Sequence, residues 1–264
     1  MIFDDYQGKR VIVSGCASGI GEATARALVG FGAVVHGVDV KHTKTELAAF
    51  ELLDLADPKS IEHAVGNIGG HVDALFNCAA LPPMAPPLEI MKVNFLGTRL
   101  FTERVLNLMT EGGAIVSTSS NGGFFWRKHL PLLLEFLAID SFEDGLAWYE
   151  EHQDSVGQPY AFGKEALNVW TMQQSALLIQ RGIRINTTSP GAVQTPMLEA
   201  IEKVVPRELI DATNRKIGRR STPEEQVGPM LFLNSSSASY VNGTDLAVDG
   251  GYWASLSVAG ELWG

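Results

Sequence analysis

The sequence predicts an α/β protein, a doubly wound parallel sheet covered by helices on both faces, in one domain over residues 1–264. Three observations carry this expectation. Short β-branched runs alternate with helix-length segments, the pattern of a parallel sheet whose crossovers are helices. A glycine-rich turn, Gly15-Cys16-Ala17-Ser18-Gly19-Ile20-Gly21, separates the first strand from the first helix, the context in which such a loop cradles phosphate. No fixed-period repeat, low-complexity tract or linker divides the chain.

Composition narrows the classes. With 45% hydrophobic and 19% charged residues the chain has a globular balance and enough length for a substantial core. A net charge of −10 argues against a nucleic-acid surface or an anionic membrane as partner. Two cysteines, Cys16 and Cys78, are too few for a disulfide scaffold and fit a reducing compartment. Residues 1–7 carry Asp4 and Asp5 and lack the basic start and apolar run of a signal peptide. The most apolar segment, residues 130–139, is broken by Pro131 and Glu135 and is too short to span a bilayer. A cytoplasmic protein is expected. None of His36, His42, His63, His71, His129 and His152 shows metal-ligand spacing with a partner, so no metal is expected.

Taken in order, residues 10–14 read as the first strand and the Ala-rich run to about residue 31 as the first helix. Between them Gly15 permits a tight turn, Gly19 the approach of a pyrophosphate to backbone N–H groups, and Gly21 close helix–strand packing. Residues 33–38 form the second strand, ending at Asp39. A carboxylate at that strand tip accepts hydrogen bonds from a ribose hydroxyl and repels a 2′-phosphate, which favours NAD. Lys41, two residues on, keeps NADP open. A third strand over residues 50–53 ends at Asp54-Leu55, and Pro58 opens a helix to about residue 68. Residues 72–76 are the fourth strand, ending in Asn77-Cys78-Ala79-Ala80, small enough to let a cofactor ribose lie against the backbone. After a proline-rich loop, residues 81–87, a helix is expected over residues 88–109, with Asn94, an indifferent helix former, inside it. Residues 114–118 are the fifth strand, terminating at Ser119-Ser120.

The segment 121–158 is too long for an ordinary connection and reads as functional or as a small helical subdomain. Its first half holds Phe124, Phe125 and Trp126; its second half is a charged helical stretch over residues 142–152, with Ser141 and Asp144 spaced as a capping box. Tyr160 then opens a helix to about residue 180. Tyr160 and Lys164 lie four apart on one helix face, and an ammonium beside a phenol favours the phenolate, a route to an acid/base for an alcohol proton. Residues 183–187 are the sixth strand, residues 189–197 a loop, residues 198–216 a helical stretch, residues 223–233 a helix, and residues 245–248 a last strand.

These motifs resemble, in order and over nearly the whole chain, those of the short-chain dehydrogenase/reductase family. Ser14 to Gly21 stand for T-G-x-x-x-G-x-G, Asn77-Cys78-Ala79-Ala80 for N-N-A-G, and Tyr160-Ala161-Phe162-Gly163-Lys164 for Y-x-x-x-K, with Asn94, Ser120 and Pro190-Gly191 in their places. The resemblance implies a Rossmann-type fold and a catalytic set: Tyr160 as acid/base, Lys164 lowering its pKa and holding the nicotinamide ribose, Ser120 bonding the substrate oxygen, and Asn94 holding a water linking Lys164 to solvent. It implies cofactor contacts at Gly15, Ser18, Gly19, Ile20 and Gly21, at Asp39, at Asp54 and Leu55 beside the adenine, and at Asn77 and Ala79. Further contacts are implied at Tyr160 and Lys164, and at Pro190, Gly191, Val193 and Thr195. Ser14 for Thr keeps the hydroxyl; Cys78 and Ala80 depart from the pattern and put the local turn in question, while Cys16 and Cys78 read as small buried fillers.

The 40 positions between Ser120 and Tyr160 exceed the family's usual spacing. Such an insertion resembles the subgroup of 3α-hydroxysteroid dehydrogenase/carbonyl reductases and coniferyl-alcohol dehydrogenases. Phe124, Phe125 and Trp126, with Met197, are then expected to wall a large apolar substrate pocket; a satellite core or an oligomer contact is the alternative for the aromatics. The insertion sits where many family members pair helices into tetramers, so a homodimer is expected, a tetramer being the alternative. The implied function is NAD-dependent hydride transfer to and from a bulky hydrophobic alcohol. An NADPH-dependent carbonyl reductase, a non-catalytic NAD-binding sensor, and an enoyl reductase, which would space Tyr and Lys wider, are the rivals.

Overall fold

A computed structural model describes residues 4–261; the ends of the expected domain, residues 1–3 and 262–264, lie outside the described residues. The strands are β1 (Arg10–Ser14), β2 (Val34–Asp39), β3 (Ala49–Leu52), β4 (Val72–Asn77), β5 (Met109–Thr118), β6 (Arg184–Pro190) and β7 (Asp245–Val248). All pair in parallel, in the order β3-β2-β1-β4-β5-β6-β7. Strand order reverses between β1 and β4, and the carboxyl ends of the strands at such a switch point frame a ligand crevice.

Alternation of side chains splits the core in two. Val11 and Val13 point to one face, where they pack with Leu28 of α1 (Gly19–Gly30) and Met230 and Leu231 of α10 (Pro223–Asn234). Ile12, Leu75, Ile115 and Ile185 point to the other, beneath α2 (Pro58–Ile68), α4 (Thr98–Val105) and α7 (Pro159–Leu178). Burial on both faces explains why the central strands read as continuous apolar runs.

The helix expected over residues 88–109 is four pieces. α3 (Pro87–Met91) passes into a π-helical turn, Lys92–Gly97, then α4, then a 3-10 turn, Leu106–Leu108, and Met109 already belongs to β5. The wide turn has a packing cause: a Cβ on Gly97 would lie 1.9 Å from the Leu55 carbonyl oxygen, so only glycine lets the turn press against the loop after β3. A π turn in a helix often marks a functional site, and this one carries Asn94. β6 runs on through Ser189 and Pro190, which the sequence reading assigned to a loop. The stretch 198–216 is two short helices, α8 (Pro196–Ile201) and α9 (Arg207–Ala212), because Pro206 cannot continue a helix from the preceding turn. A short last helix, α11 (Tyr252–Ala259), was not expected.

The insertion folds as α5 (Leu130–Leu137) and α6 (Phe142–Val156), the latter capped by Ser141, whose Oγ accepts from the Asp144 N–H at 3.0 Å. Phe136 of α5 is its anchor. Its ring centroid lies 5.3 Å from that of Phe95 in the π turn, 5.1 Å from Trp148 and 5.5 Å from Phe162 of α7. A second tie is polar: His129 Nδ1 meets Oε2 of the buried Glu165 at 2.7 Å. Burial raises the Glu165 carboxyl pKa, and His129 works against this by bonding the charged form. We expect His129→Ala to leave that carboxylate unpaired and cost about 2 kcal/mol. The check is a thermal melt, in which Tm falls by roughly 5 °C. An unchanged Tm would remove this tie from the account.

Candidate active site

One cleft of about 910 Å³ opens along the carboxyl ends of the strands, within the size range of ligand sites. At one end lies the glycine loop. Gly15 and Gly19 hold φ of +70° and +58°, and a Cβ on Gly15 would lie 2.6 Å from the Ala79 nitrogen. Gly21 sits on the Gly15 carbonyl, 2.1 Å from where its own Cβ would be, so the N-terminus of α1 is drawn against the turn. Ser18 precedes that helix without capping it through its side chain, which leaves first-turn N–H groups for an anion. Ser14 does what the family's Thr would: its Oγ accepts from the Cys78 N–H at 3.2 Å and ties β1 to the end of β4.

Asp39 stands at the tip of β2. Its carboxylate accepts from the Ala17 and Lys41 N–H groups, both at 3.0 Å, which fixes its orientation and leaves lone pairs for ribose hydroxyls. Asp54 is held similarly by the Ala56 N–H at 2.8 Å. A dinucleotide therefore fits the residues present, with a phosphate cradle at one end, a ribose-binding carboxylate beside it, and small residues Ala79 and Ala80 along the wall.

Mid-cleft, Ser120, Tyr160 and Lys164 come together. Ser120 Oγ donates to Asn121 Oδ1 at 3.2 Å and accepts from the Gly122 N–H at 3.1 Å, and the Tyr160 phenol lines the same stretch of cleft. Lys164 is buried, with Nζ donating to the Thr118 carbonyl at 2.7 Å and lying 5.8 Å from the Tyr160 ring centroid. Burial brings its ammonium down to about 8. The expected lowering of the Tyr160 pKa by Lys164 is not found in the chain by itself. Burial raises the phenol above its ordinary value, and the Ser120 hydroxyl only partly offsets this. The reason is that the ammonium's bond goes to Thr118, while both groups are desolvated together.

Other expectations meet the geometry as follows. Gly15, Ser18, Gly19, Ile20, Gly21, Asp39, Asp54, Leu55 and Ala79 line the cleft, as do Pro190, Gly191, Val193, Thr195 and Met197. Thr195 caps α8, and its Cγ2 faces Gly19 across the cleft. Asn77 does not line it: its amide is buried and donates to Thr102 Oγ1 at 2.9 Å and Ser117 Oγ at 3.1 Å, turned under the sheet. Asn94 is behind the wall. Its Oδ1 accepts from the Leu81 N–H at 2.7 Å and its Nδ2 donates to the Leu81 carbonyl at 3.0 Å, so the amide pins the cleft loop.

Phe124, Phe125 and Trp126 do not wall the cleft either. Phe124 packs with Leu256 and Tyr252 of α11 in a satellite core, Phe125 beside it, and Trp126 lies against the main core under the Arg127 guanidinium. The apolar wall comes instead from Met197, Leu198, Ile201 and Ile210 of α8 and α9, opposite Leu81 and Val93. Ile201 and Ile210 were missed; the Pro206 break was the available signal. Asn121 was missed as well. Cys16 and Cys78 are pushed up to about 12 by burial, which suits packing rather than thiolate chemistry. Among the described residues no group of three or more His, Cys, Asp or Glu could hold a metal ion, and no helix is long and apolar enough to cross a membrane.

A phosphate-cradling glycine loop at the switch point of a doubly wound sheet, with a hydroxyl, a phenol and an ammonium in the same cleft, defines a class: the dinucleotide-dependent oxidoreductases. Residues 9–132 match the family profile described as short chain dehydrogenase, and residues 150–253 match one described as Enoyl-(Acyl carrier protein) reductase. A coniferyl-alcohol dehydrogenase from Pseudomonas sp. (strain HR199 / DSM 7063) is 34% identical over 244 residues, 92% of this chain and 96% of that protein. A 3-alpha-hydroxysteroid dehydrogenase/carbonyl reductase from Comamonas testosteroni is 30% identical over 254 residues, 91% and 95% of the two chains. The crystal structure of the 3-alpha-hydroxysteroid dehydrogenase from Pseudomonas sp. B-0831 complexed with NADH aligns with a TM-score of 0.80 at 29% identity, covering 95% of this chain and 99% of that one. The chain belongs to the short-chain dehydrogenase/reductase family.

Proposed function

We propose that this protein is an NAD-dependent alcohol dehydrogenase that moves a hydride between nicotinamide and a bulky hydrophobic alcohol. The observation that carries the reading is the meeting of Ser120, Tyr160 and a buried Lys164 in one cleft that also holds the glycine loop and Asp39. A nicotinamide dinucleotide held there by the glycine loop and Asp39 would supply the hydride carrier. Tyr160 then takes the alcohol proton, or returns it in the reverse direction. Ser120 turns its one proton from Asn121 to the substrate oxygen, where negative charge develops. Lys164 holds the ribose and, being buried, keeps its charge undiluted by water. The apolar wall from α8 and α9 supports a large hydrophobic substrate, as do the names of the coniferyl-alcohol and hydroxysteroid relatives. Against an enoyl reductase stands the four-residue spacing of Tyr160 and Lys164.

The test is NADH formation from NAD with a 3α-hydroxysteroid, coniferyl alcohol, a monoterpene alcohol and cyclohexanol. One bulky alcohol is expected to be strongly preferred; silence across the panel with NAD binding verified would favour the sensor reading. Lys41 lines the cleft beside Asp39 and favours a second reading, a carbonyl reductase using NADPH. Dissociation constants separate the two. NAD is expected to bind at least about tenfold more tightly than NADP, about 1.4 kcal/mol; equal or reversed constants would overturn the NAD assignment.

A further inference from the structure

The row of residues that carries Tyr160 and Lys164 continues one turn further, to Asn168, at i, i+4 and i+8 on α7. Asn168 is fully buried. Its Nδ2 donates to the Gly123 carbonyl at 3.3 Å and to Asp245 Oδ2 at 3.2 Å. Gly123 closes the short turn that begins at Ser120, and its own N–H donates to the Ser120 carbonyl at 2.9 Å. Behind Asn168 the Asp245 carboxylate is fixed by Thr187 Oγ1 at 2.9 Å and by Ser189 Oγ at 2.8 Å, so β6 and β7 hold the far end of the link. The turn also seats tightly on the helix. A Cβ on Gly123 would lie 2.8 Å from Asn168 Nδ2 and 3.1 Å from the Lys164 carbonyl.

We propose that Asn168 is a positioning residue for the reaction: anchored by Asp245, its amide seats the turn at residues 121–123 against α7 and so sets the Ser120 hydroxyl beside the Tyr160 phenol. This rests on the roles given to Ser120 and Tyr160 above. An amide that served only the fold would lower stability without acting through Ser120, and that difference is measurable. The geometry is a chain of bonds from sheet to helix to turn, side chain to side chain until it ends on the Gly123 backbone carbonyl. Nothing in the row beyond Lys164 touches the cleft, which is why Asn168 acts through its neighbours.

The experiment is a double-mutant cycle with NAD and the alcohol that the panel shows to be turned over, using the full chain, Asn168→Leu, Ser120→Ala and the pair. Asn168→Leu keeps the volume and removes the donor. It is expected to lower kcat by about 10- to 100-fold with KM for NAD within about twofold of the parent. In the Ser120→Ala background it is expected to cost less than about threefold, because the group it positions is gone. An equal cost in both backgrounds, or no cost in the parent, would overturn the proposal. If Ser120→Ala itself leaves turnover unchanged, the role of Ser120 fails instead, a result distinct from failure of the Asn168 link. Should Asn168→Leu fail to fold, Gly123→Ala carries the test. Gly123 is not among the glycines at positive φ, so alanine suits its backbone, while the new Cβ lifts the turn off Asn168. The same kcat loss is expected, and parental kcat in that variant would refute the link.

Discussion

Tyr160→Phe is expected to lower turnover by about 10²- to 10⁴-fold, the range for losing a positioned general acid/base, and to leave NAD binding within about twofold. The substitution keeps the ring that lies near Lys164 and removes only the phenolic oxygen, so the cleft wall is preserved. Its consequence is confined to the proton, since the phenolic oxygen is the atom proposed to exchange it with the alcohol. Steady-state kinetics on the preferred alcohol, with calorimetric titration of NAD, make the check. A variant that keeps a tenth or more of the parental turnover would remove Tyr160 from the acid/base role.

Lys164→Met has the second large effect, and it runs in two directions. Turnover and NAD affinity are expected to fall, because the ammonium proposed to hold the ribose is gone. Stability of the cofactor-free protein rises. Burial lowers the Lys164 pKa from its ordinary 10.5 to about 8, so at neutral pH the folded chain carries a charge it would rather not bury. That difference is worth about 3 kcal/mol, and losing the Thr118 hydrogen bond returns about 1 kcal/mol, for a net gain of about 2 kcal/mol. The pH dependence has a definite sign. Below about 8 both folded and unfolded chains hold the proton and the penalty is full. Between about 8 and 10.5 the unfolded chain binds more protons, so the parent gains stability as pH rises and the advantage of the variant shrinks. Urea unfolding at pH 7 and at pH 10 reads both numbers; a variant less stable than its parent at pH 7 would contradict the account.

Much of this architecture was legible in residue order because it rests on local chemistry. Gly15, Gly19 and Gly21 announce a strand–turn–helix whatever surrounds them, and two of the three do hold positive φ. The β-branched runs of the central strands declare burial on both faces. The four-residue spacing of Tyr160 and Lys164 places them on one helix face before any fold is known. What was misread is what depends on partners distant in sequence. A helix continuous over residues 88–109 was a fair reading of periodicity, but the π turn that carries Asn94 ends at Gly97, packed against the Leu55 carbonyl some forty positions upstream. Phe124 reads as a pocket wall because it follows Ser120, yet Leu256 lies against it from the other end of the chain.

The sequence by itself determined the doubly wound sheet, the phosphate loop, the carboxylate at the tip of β2 and the Tyr160–Lys164 pair, since each is written in spacing along one element or at its end, whereas Ser120 was preferred to its neighbour Ser119 only through the family resemblance. Only the tertiary structure decided which apolar residues face the cleft, where the Asn77 and Asn94 amides point, and whether a buried phenol rises or falls in pKa. Those depend on desolvation and on contacts between segments far apart in the chain, and neither burial nor a long-range neighbour is encoded at any single position.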